Sequence, residues 1–435
     1  MSKKISISVL VFAVLAAVLV SFLGAFVVVS QVYDAELKKA YIAAENSSKP
    51  SNDKFSELEL LDTLFTAWSY FGVDDKAVGE ELLKAYTRAS GDKYAEYYTE
   101  EEFKAMTAEN AGEMQGIGIN IIENTEYSCI EVISVMPDSP ALAAGIQPGD
   151  LVVYVGIGDA RESVAALGYL QAVTKLQGVA GTKAEFVVRR GEGYSEEIEF
   201  SVERGYITTQ SVTYRVCATD SSVGIVKIIQ FDLTTPTQFC QAVDALKATP
   251  GVDKFVFDVR YNPGGDLQSI LAVLSYFLNE GDVVISTLDN AGTETITKVE
   301  PSVHTGDYAG CSVSAEDIGK YKDLKCVVLA NGSTASAAEL FTANFRDYNI
   351  APIVGVTTYG KGSMQSIVSL ERYGYPGGLK LTTRMYFPPC GESYEGVGIT
   401  PDVEVELDES MANVNIYKIA DADDNQLQRA IQEFK

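Results

Sequence analysis

Histidine is nearly missing from this sequence. The 435 residues carry one, His304, and that scarcity narrows the chemistry more than any residue present in plenty. A serine hydroxyl is a poor nucleophile until a neighbouring base takes its proton, and the usual base is a histidine held by an acidic partner. His304 lies in the polar run Ser302-Val-His-Thr-Gly-Asp307, away from any strand-to-helix turn, and reads as a loop histidine. Basic residues are short as well: 34 Lys and Arg face 60 Asp and Glu, a net charge of −26. Such a surface repels nucleic acid and anionic headgroups, so a polyanion-binding role is excluded. The six cysteines (Cys129, Cys217, Cys240, Cys311, Cys326 and Cys390) stand far apart with no Cys-x-x-Cys pair. Neither a zinc site nor a thioredoxin motif is encoded, and no metal or other cofactor is expected. An exported location permits disulfides, and spacing does not choose between these and free thiols.

A long apolar run occurs once. Residues 5–33 carry no charge, more than the ~20 residues a helix needs to cross a bilayer. Lys3 and Lys4 precede the run, and Asp34 and Glu36 follow it. The positive-inside rule therefore keeps the N-terminus in the cytoplasm and places the rest outside. A cleaved signal peptide would have a shorter apolar region, about 7 to 15 residues. Residues 1–33 are read as a retained single-pass anchor in the cell membrane.

Residues 34–110 read as helical. Leu58, Leu61, Phe65 and Trp68 recur at three-to-four spacing, a second helix is expected over 76–89, and Thr99 with Glu102 is spaced as a capping box. Over 111–205 the pattern changes to short β runs (117–122, 130–135, 151–155, 184–188) divided by Pro and Gly turns. Beyond 206 it becomes strand, Gly turn, helix, repeated. Residues 255–259 lead into Asn262-Pro-Gly-Gly265 and a helix; 326–330 lead into Asn331-Gly-Ser-Thr-Ala-Ser-Ala-Ala-Glu339, a helix to 348 and a strand at 353–356. This β-α-β succession predicts an α/β fold with a parallel sheet, whose sites lie where loops leave the carboxyl ends of the strands. Gly265 and Ser336 both fall there.

Lys361, in Tyr359-Gly-Lys-Gly-Ser-Met-Gln365, lies 25 positions after Ser336. It can replace a histidine only as a neutral amine, with its pKa brought from about 10.4 to roughly 7 to 8, which costs on the order of 4 kcal/mol. Uncharged neighbours suit a desolvated amine, and Gln365 can orient it without restoring the charge. Ser336 at a helix N-terminus faces free backbone N–H groups, which also build an oxyanion hole. The N–H of Ala337 and one from Gly264 or Gly265 are the expected donors. Taken alone, Ser336 would be a helix cap and Lys361 a surface lysine. Residues 355–361 match G-x-x-x-x-G-K, yet Gly362 stands where a phosphate loop needs Ser or Thr. Gly116-Ile-Gly118 is no dinucleotide fingerprint and better suits a backbone nest for a carboxylate. The Asn-x-Ser sequons at Asn46 and Asn331 read as chance matches.

Several segments in order resemble the C-terminal processing peptidases, the Ser-Lys proteases of peptidase family S41. These are Asp92-Lys-Tyr-Ala-Glu-Tyr-Tyr98 with Glu102-Phe103, Gly116-Ile-Gly-Ile119, Ala144-Gly-Ile-Gln-Pro-Gly-Asp150, the strand-like run from Val223 to Phe231, Phe257-Asp-Val-Arg-Tyr-Asn-Pro-Gly-Gly265, the Ser336 and Lys361 segments, and Gly396-Val-Gly-Ile-Thr-Pro-Asp402. The resemblance covers roughly residues 54–435. It implies Ser336 as nucleophile, Lys361 as general base and Gln365 as the residue orienting it. It also implies a parallel-sheet core of the crotonase and Clp-protease kind, 206–435, with an inserted PDZ domain at 111–205. That domain would take the carboxylate and apolar last residues of a protein or peptide substrate in the Gly116, Ile117, Gly118, Ile119 nest, and the helical segment could support a homodimer, as in some relatives. Tyr261 departs from the usual Asn, and Ala338 from a usual Ser. The competing readings are a non-catalytic PDZ adaptor on an inactive core and an esterase or amidase of wall components.

Overall fold

The computed structural model describes residues 55–136, 138–411, 414, 416 and 419–434, so the apolar run at 5–33 and the sequon at Asn46 lie outside the described residues. Among the described residues no helix is long and apolar enough to cross a membrane. Two compact units divide after Tyr86, 1–86 and 87–435.

In the first unit the expected amphipathic helix forms as Ser56–Trp68, with none of its residues buried. Leu61, Phe65 and Trp68 all stay about half exposed. The next helix runs Asp75–Ala89, and the predicted capping box closes on Glu100–Asn110. The segment read as helical also contains a strand, Glu96–Tyr98, paired antiparallel with Gly378–Phe387. Its run Glu-Tyr-Tyr is β-favouring, and Asp92 fixes the register by accepting the Thr382 N–H at 2.7 Å and its hydroxyl at 2.9 Å.

The β-rich module is a six-stranded antiparallel sheet with edge strand Ile119–Asn124 and the helix Tyr169–Leu176. Its core holds Ile130, Val132, Val152, Phe186 and Val188. A two-stranded ribbon, Glu113–Gly116 with Gly205–Thr208, brings the chain in and out of the module.

The expected parallel sheet is present. Val223–Ile228, Lys254–Asp258, Lys325–Ala330, Ile353–Gly355 and Val403–Glu404 run parallel in that order, with Val212–Val216 antiparallel at the first edge. A second, antiparallel sheet joins Ser363–Ser369, Gly378–Phe387, Val283–Asp289 and Glu294–Lys298 to Glu96–Tyr98. The helix Ala337–Asp347 docks through Phe341 and Phe345, whose ring centroids lie 4.3 Å apart and which both meet Phe257. Each buried Phe contributes about 1.5–3 kcal/mol, so the start of this helix is held firmly.

Behind the sheet lies a buried charge cluster. The Arg260 guanidinium donates to both carboxylate oxygens of Asp258 and to both of Asp424, which caps the C-terminal helix Asn425–Gln432. Burial alone would raise the Asp258 pKa, but Arg260 and Lys227 hold it far below the usual carboxylate range. This contribution to stability is therefore full above pH ~4 and is lost as pH falls through the native pKa. Arg260→Ala leaves the buried Asp424 without its cationic partner and Asp258 with Lys227 alone, and is expected to cost about 3–5 kcal/mol in urea unfolding. An unchanged midpoint would rule out that role for the cluster.

All six cysteines are unpaired. Burial pushes the Cys129 thiol up to about 11 and Cys311 and Cys326 up to about 12, which keeps them protonated and inert.

Candidate active site

Ser336 stands in the turn between Lys325–Ala330 and the helix Ala337–Asp347, with φ +56° and ψ −120°. A non-glycine residue there carries roughly 1–3 kcal/mol of backbone strain, so the surrounding contacts must enforce it. They are on both flanks. The Ala335 N–H donates to the Asn262 carbonyl at 2.9 Å, and Thr334, fully buried, donates its hydroxyl to the Val259 carbonyl at 2.9 Å. Asn331 accepts from the Tyr261 and Ser333 N–H groups through its side-chain oxygen, so this sequon asparagine serves the turn. Tyr261 itself has φ +64°, a conformation that Asn adopts more readily than Tyr.

Glu339 ties the serine turn to the lysine loop. It is fully buried, and its carboxylate accepts the Ser336 N–H at 2.9 Å, the Lys361 N–H at 2.8 Å, the Gly360 N–H at 2.6 Å and the Thr358 hydroxyl at 2.6 Å. Sequence reading passed over this residue, although Ser336-Ala-Ala-Glu339 has the spacing of a capping box. The Tyr386 hydroxyl adds a bond to the Lys361 carbonyl at 2.5 Å.

Ser336, Ala337, Gly264, Gly265, Lys361 and Gln365 all line one cleft of about 590 Å³. Its deeper wall is apolar, formed by Leu267, Ile270, Ile285, Leu340 and Met364. Gly264 lies so close to the serine turn that a Cβ there would come within 2.7 Å of the Ser336 Cβ, and one on Gly265 would strike the Phe231 carbonyl. The Gly264 N–H is already taken by the Asn262 side-chain oxygen at 2.8 Å. Among the described residues, the N–H groups of Gly265 and Ala337 meet no protein acceptor. Of the two glycines, Gly265 is thus the one with a donor to offer.

Burial and the positive charge of Lys380 lower the Lys361 pKa, against the pull of Glu395 and Glu339. Its Nζ lies 4.5 Å from the centre of the Tyr94 ring. The Gln365 amide nitrogen donates to the hydroxyls of Ser363 at 3.3 Å on its own strand and of Thr382 at 3.1 Å on the neighbouring one, so this nitrogen is engaged with the sheet and not with Lys361. A β-bulge between Met364 and Gln365 turns the amide that way. His304 does not line the cleft; it sits half-buried in its loop, 6.5 Å from the Tyr308 ring.

The Gly116 to Ile119 loop stands apart, in the β-rich module. The Ile117 and Gly118 carbonyls are taken by the N–H groups of Ala141 and Met136, while the N–H groups of Ile117 and Gly118 meet no acceptor among the described residues. Gly118 has φ +82° and abuts Ser139, so no side chain fits.

Comparison with known proteins agrees with this architecture. The peptidase family S41 pattern matches residues 222–405, and the PDZ domain pattern matches 106–189. A carboxy-terminal-processing protease of Bartonella bacilliformis is 32% identical over 337 residues, 77% of this chain and 70% of that protein. A probable CtpA-like serine protease of Staphylococcus aureus is 28% identical over 384 residues, 87% of this chain and 71% of that one. The photosystem II D1 C-terminal processing protease superposes with a TM-score of 0.43 and 24% identity, over 79% of this chain and 89% of that chain. With its mixed α/β core, its PDZ domain and this identity across most of its length, the chain belongs to peptidase family S41, the serine-type carboxy-terminal-processing proteases.

Proposed function

We propose that this protease is an exported endopeptidase, anchored by residues 1–33, that takes a polypeptide by its free C-terminus and cleaves it through an acyl-enzyme on Ser336. The reading rests chiefly on one observation: a single buried carboxylate, Glu339, holds the backbones of Ser336 and Lys361 at the edge of one cleft. Lys361, neutral, accepts the Ser336 hydroxyl proton as Oγ attacks the scissile carbonyl. The N–H groups of Ala337 and Gly265 receive the oxyanion. The Lys361 ammonium then protonates the leaving amine, and the same amine later deprotonates the water that releases the acyl group. Gln365 would turn toward Lys361 when substrate fills the cleft.

Substrate capture falls to the PDZ domain. The free N–H groups of Ile117 and Gly118 suit a terminal carboxylate, and the open edge of Ile119–Asn124 suits an added strand. Ile119, Ile121, Tyr169 and Val173 pack at the margin of that domain's core, which favours apolar last residues. Self-association through the exposed apolar residues of Ser56–Trp68 belongs to the same reading.

The test is cleavage of an unstructured protein with an apolar C-terminus by the full chain in detergent. Turnover is expected with the parent and none with Ser336→Ala, and amidating the substrate's C-terminus should raise KM several-fold with kcat little changed. Binding without cleavage by the parent would favour the adaptor reading. Indifference to amidation would remove the capture step.

A further inference from the structure

Tyr94 has no part in the catalytic step, yet the side-chain nitrogens of two lysines converge on its ring. The Lys361 Nζ lies 4.5 Å from the ring centre and the Lys93 Nζ 4.7 Å from it. Lys93 continues to Glu395 at 3.2 Å, and the other oxygen of Glu395 accepts the N–H of Gly362 at 2.6 Å. Asp92 accepts the Tyr94 N–H at 3.0 Å and also holds Thr382, the residue that receives the Gln365 amide. The segment before Glu96–Tyr98 is thus stitched at one end to the loop of Lys361 and at the other to the strand beside Gln365.

We propose that Tyr94 is a positioning residue for Lys361, its ring forming the wall that shields Nζ from water and fixes the direction in which it enters the cleft. The proposal deepens the Ser-Lys reading and rests on it. The ring acts in two opposed ways. Its quadrupole favours an ammonium, while its bulk denies the ammonium its hydration. The surroundings decide the balance. Lys380 on Gly378–Phe387 and Lys93 repel a third positive charge, and Glu395 and Glu339 attract one. Burial is the leading cause of the lowered pKa, and the ring, 4.5 Å from Nζ, supplies part of that burial, so a smaller residue at 94 admits water and favours the protonated amine.

The experiment reads the amine directly. In the full chain carrying Ser336→Ala, competitive acetylation with acetic anhydride followed by mass spectrometry gives the apparent pKa of Lys361, with the exposed Lys183 of the β-rich module as an internal reference. Tyr94→Ala should move the Lys361 value up by about one unit, which is a tenfold loss of free amine near neutral pH. Tyr94→Phe, which keeps the ring, should leave it in place. In the Ser336 protein, Tyr94→Ala should lose about tenfold in kcat/KM at neutral pH and recover it in alkaline buffer, with Tyr94→Phe restoring the parent profile. An unmoved Lys361 titration in Tyr94→Ala, or an equal shift in Tyr94→Phe, overturns the proposal. So does a loss of activity that is uniform across pH, which would mark a merely structural role. Failure of the Ser-Lys reading looks different: Lys361→Ala would then keep full turnover, whatever Tyr94 does to the lysine's titration.

Discussion

Lys361→Ala is expected to lower kcat by about 10²–10⁴-fold, the range spanned by a general base, while His304→Ala leaves it within about twofold. The asymmetry follows from position. Lys361 lines the cleft with Ser336, and His304 does not. The parent's pH profile carries the same information. Burial, with Lys380, lowers the Lys361 pKa, so its neutral fraction grows as pH rises and at any pH exceeds that of an ordinary lysine. Activity should therefore climb from neutral into mildly alkaline buffer and then level off. Turnover that vanishes in a folded His304→Ala protein would transfer the role to the histidine. The stability linkage has the same slope as that of Asp258, but here the lowered pKa costs stability at neutral pH instead of adding it. In the window between the lowered native pKa and the unfolded one, the unfolded chain binds more protons, so stability rises with pH. Lys361→Met should accordingly raise Tm at neutral pH as it removes activity.

Much of this was legible in the sequence, for reasons that differ by element. The parallel strands at Lys254–Asp258 and Lys325–Ala330 read correctly because both faces are covered, which leaves a continuous apolar run, and an Asn and Gly turn follows each. The capping box at Thr99 is a local device and needs no partner elsewhere. Local rules fail where a long-range partner decides. Glu96–Tyr98 is a strand because Gly378–Phe387, about 280 positions away, pairs with it, and two tyrosines between helical segments are too short a β signal to announce it alone. The choice between Gly264 and Gly265 turned on the Asn262 side chain, whose direction is a tertiary fact. Tyr94 and Gln365 illustrate the same limit, since one packs on Lys361 and the other bonds to Thr382 across a strand pair.

Glu339 carries the second large expectation. Glu339→Gln should cost about 3–5 kcal/mol of stability and lower kcat by roughly 100-fold with a smaller change in KM. The reason lies in the arithmetic of donors. Four hydrogen-bond donors converge on this carboxylate, three of them backbone N–H groups from two separate loops. An ionised carboxylate accepts all four, whereas an amide must turn its own NH₂ toward donors at one end. Either the Ser336 turn or the Lys361 loop then loses its anchor, and a shift of about 1 Å between nucleophile and base is enough for that loss in rate. The Ser336 strain sharpens the effect, because a φ of +56° persists only while its neighbours enforce it. Thr358→Val offers a graded comparison. Its hydroxyl donates to Glu339 and accepts the Ile399 N–H at 2.7 Å, so its removal strips one of the four donors and leaves a buried N–H unpaired, for about 1–3 kcal/mol. Urea unfolding and single-turnover acylation, measured on both variants, should fall in the order Glu339→Gln below Thr358→Val below the parent. Equal kcat in Glu339→Gln and the parent would mean that the two loops hold their register without the carboxylate, and the geometry of the pair would then have to come from the sheets alone.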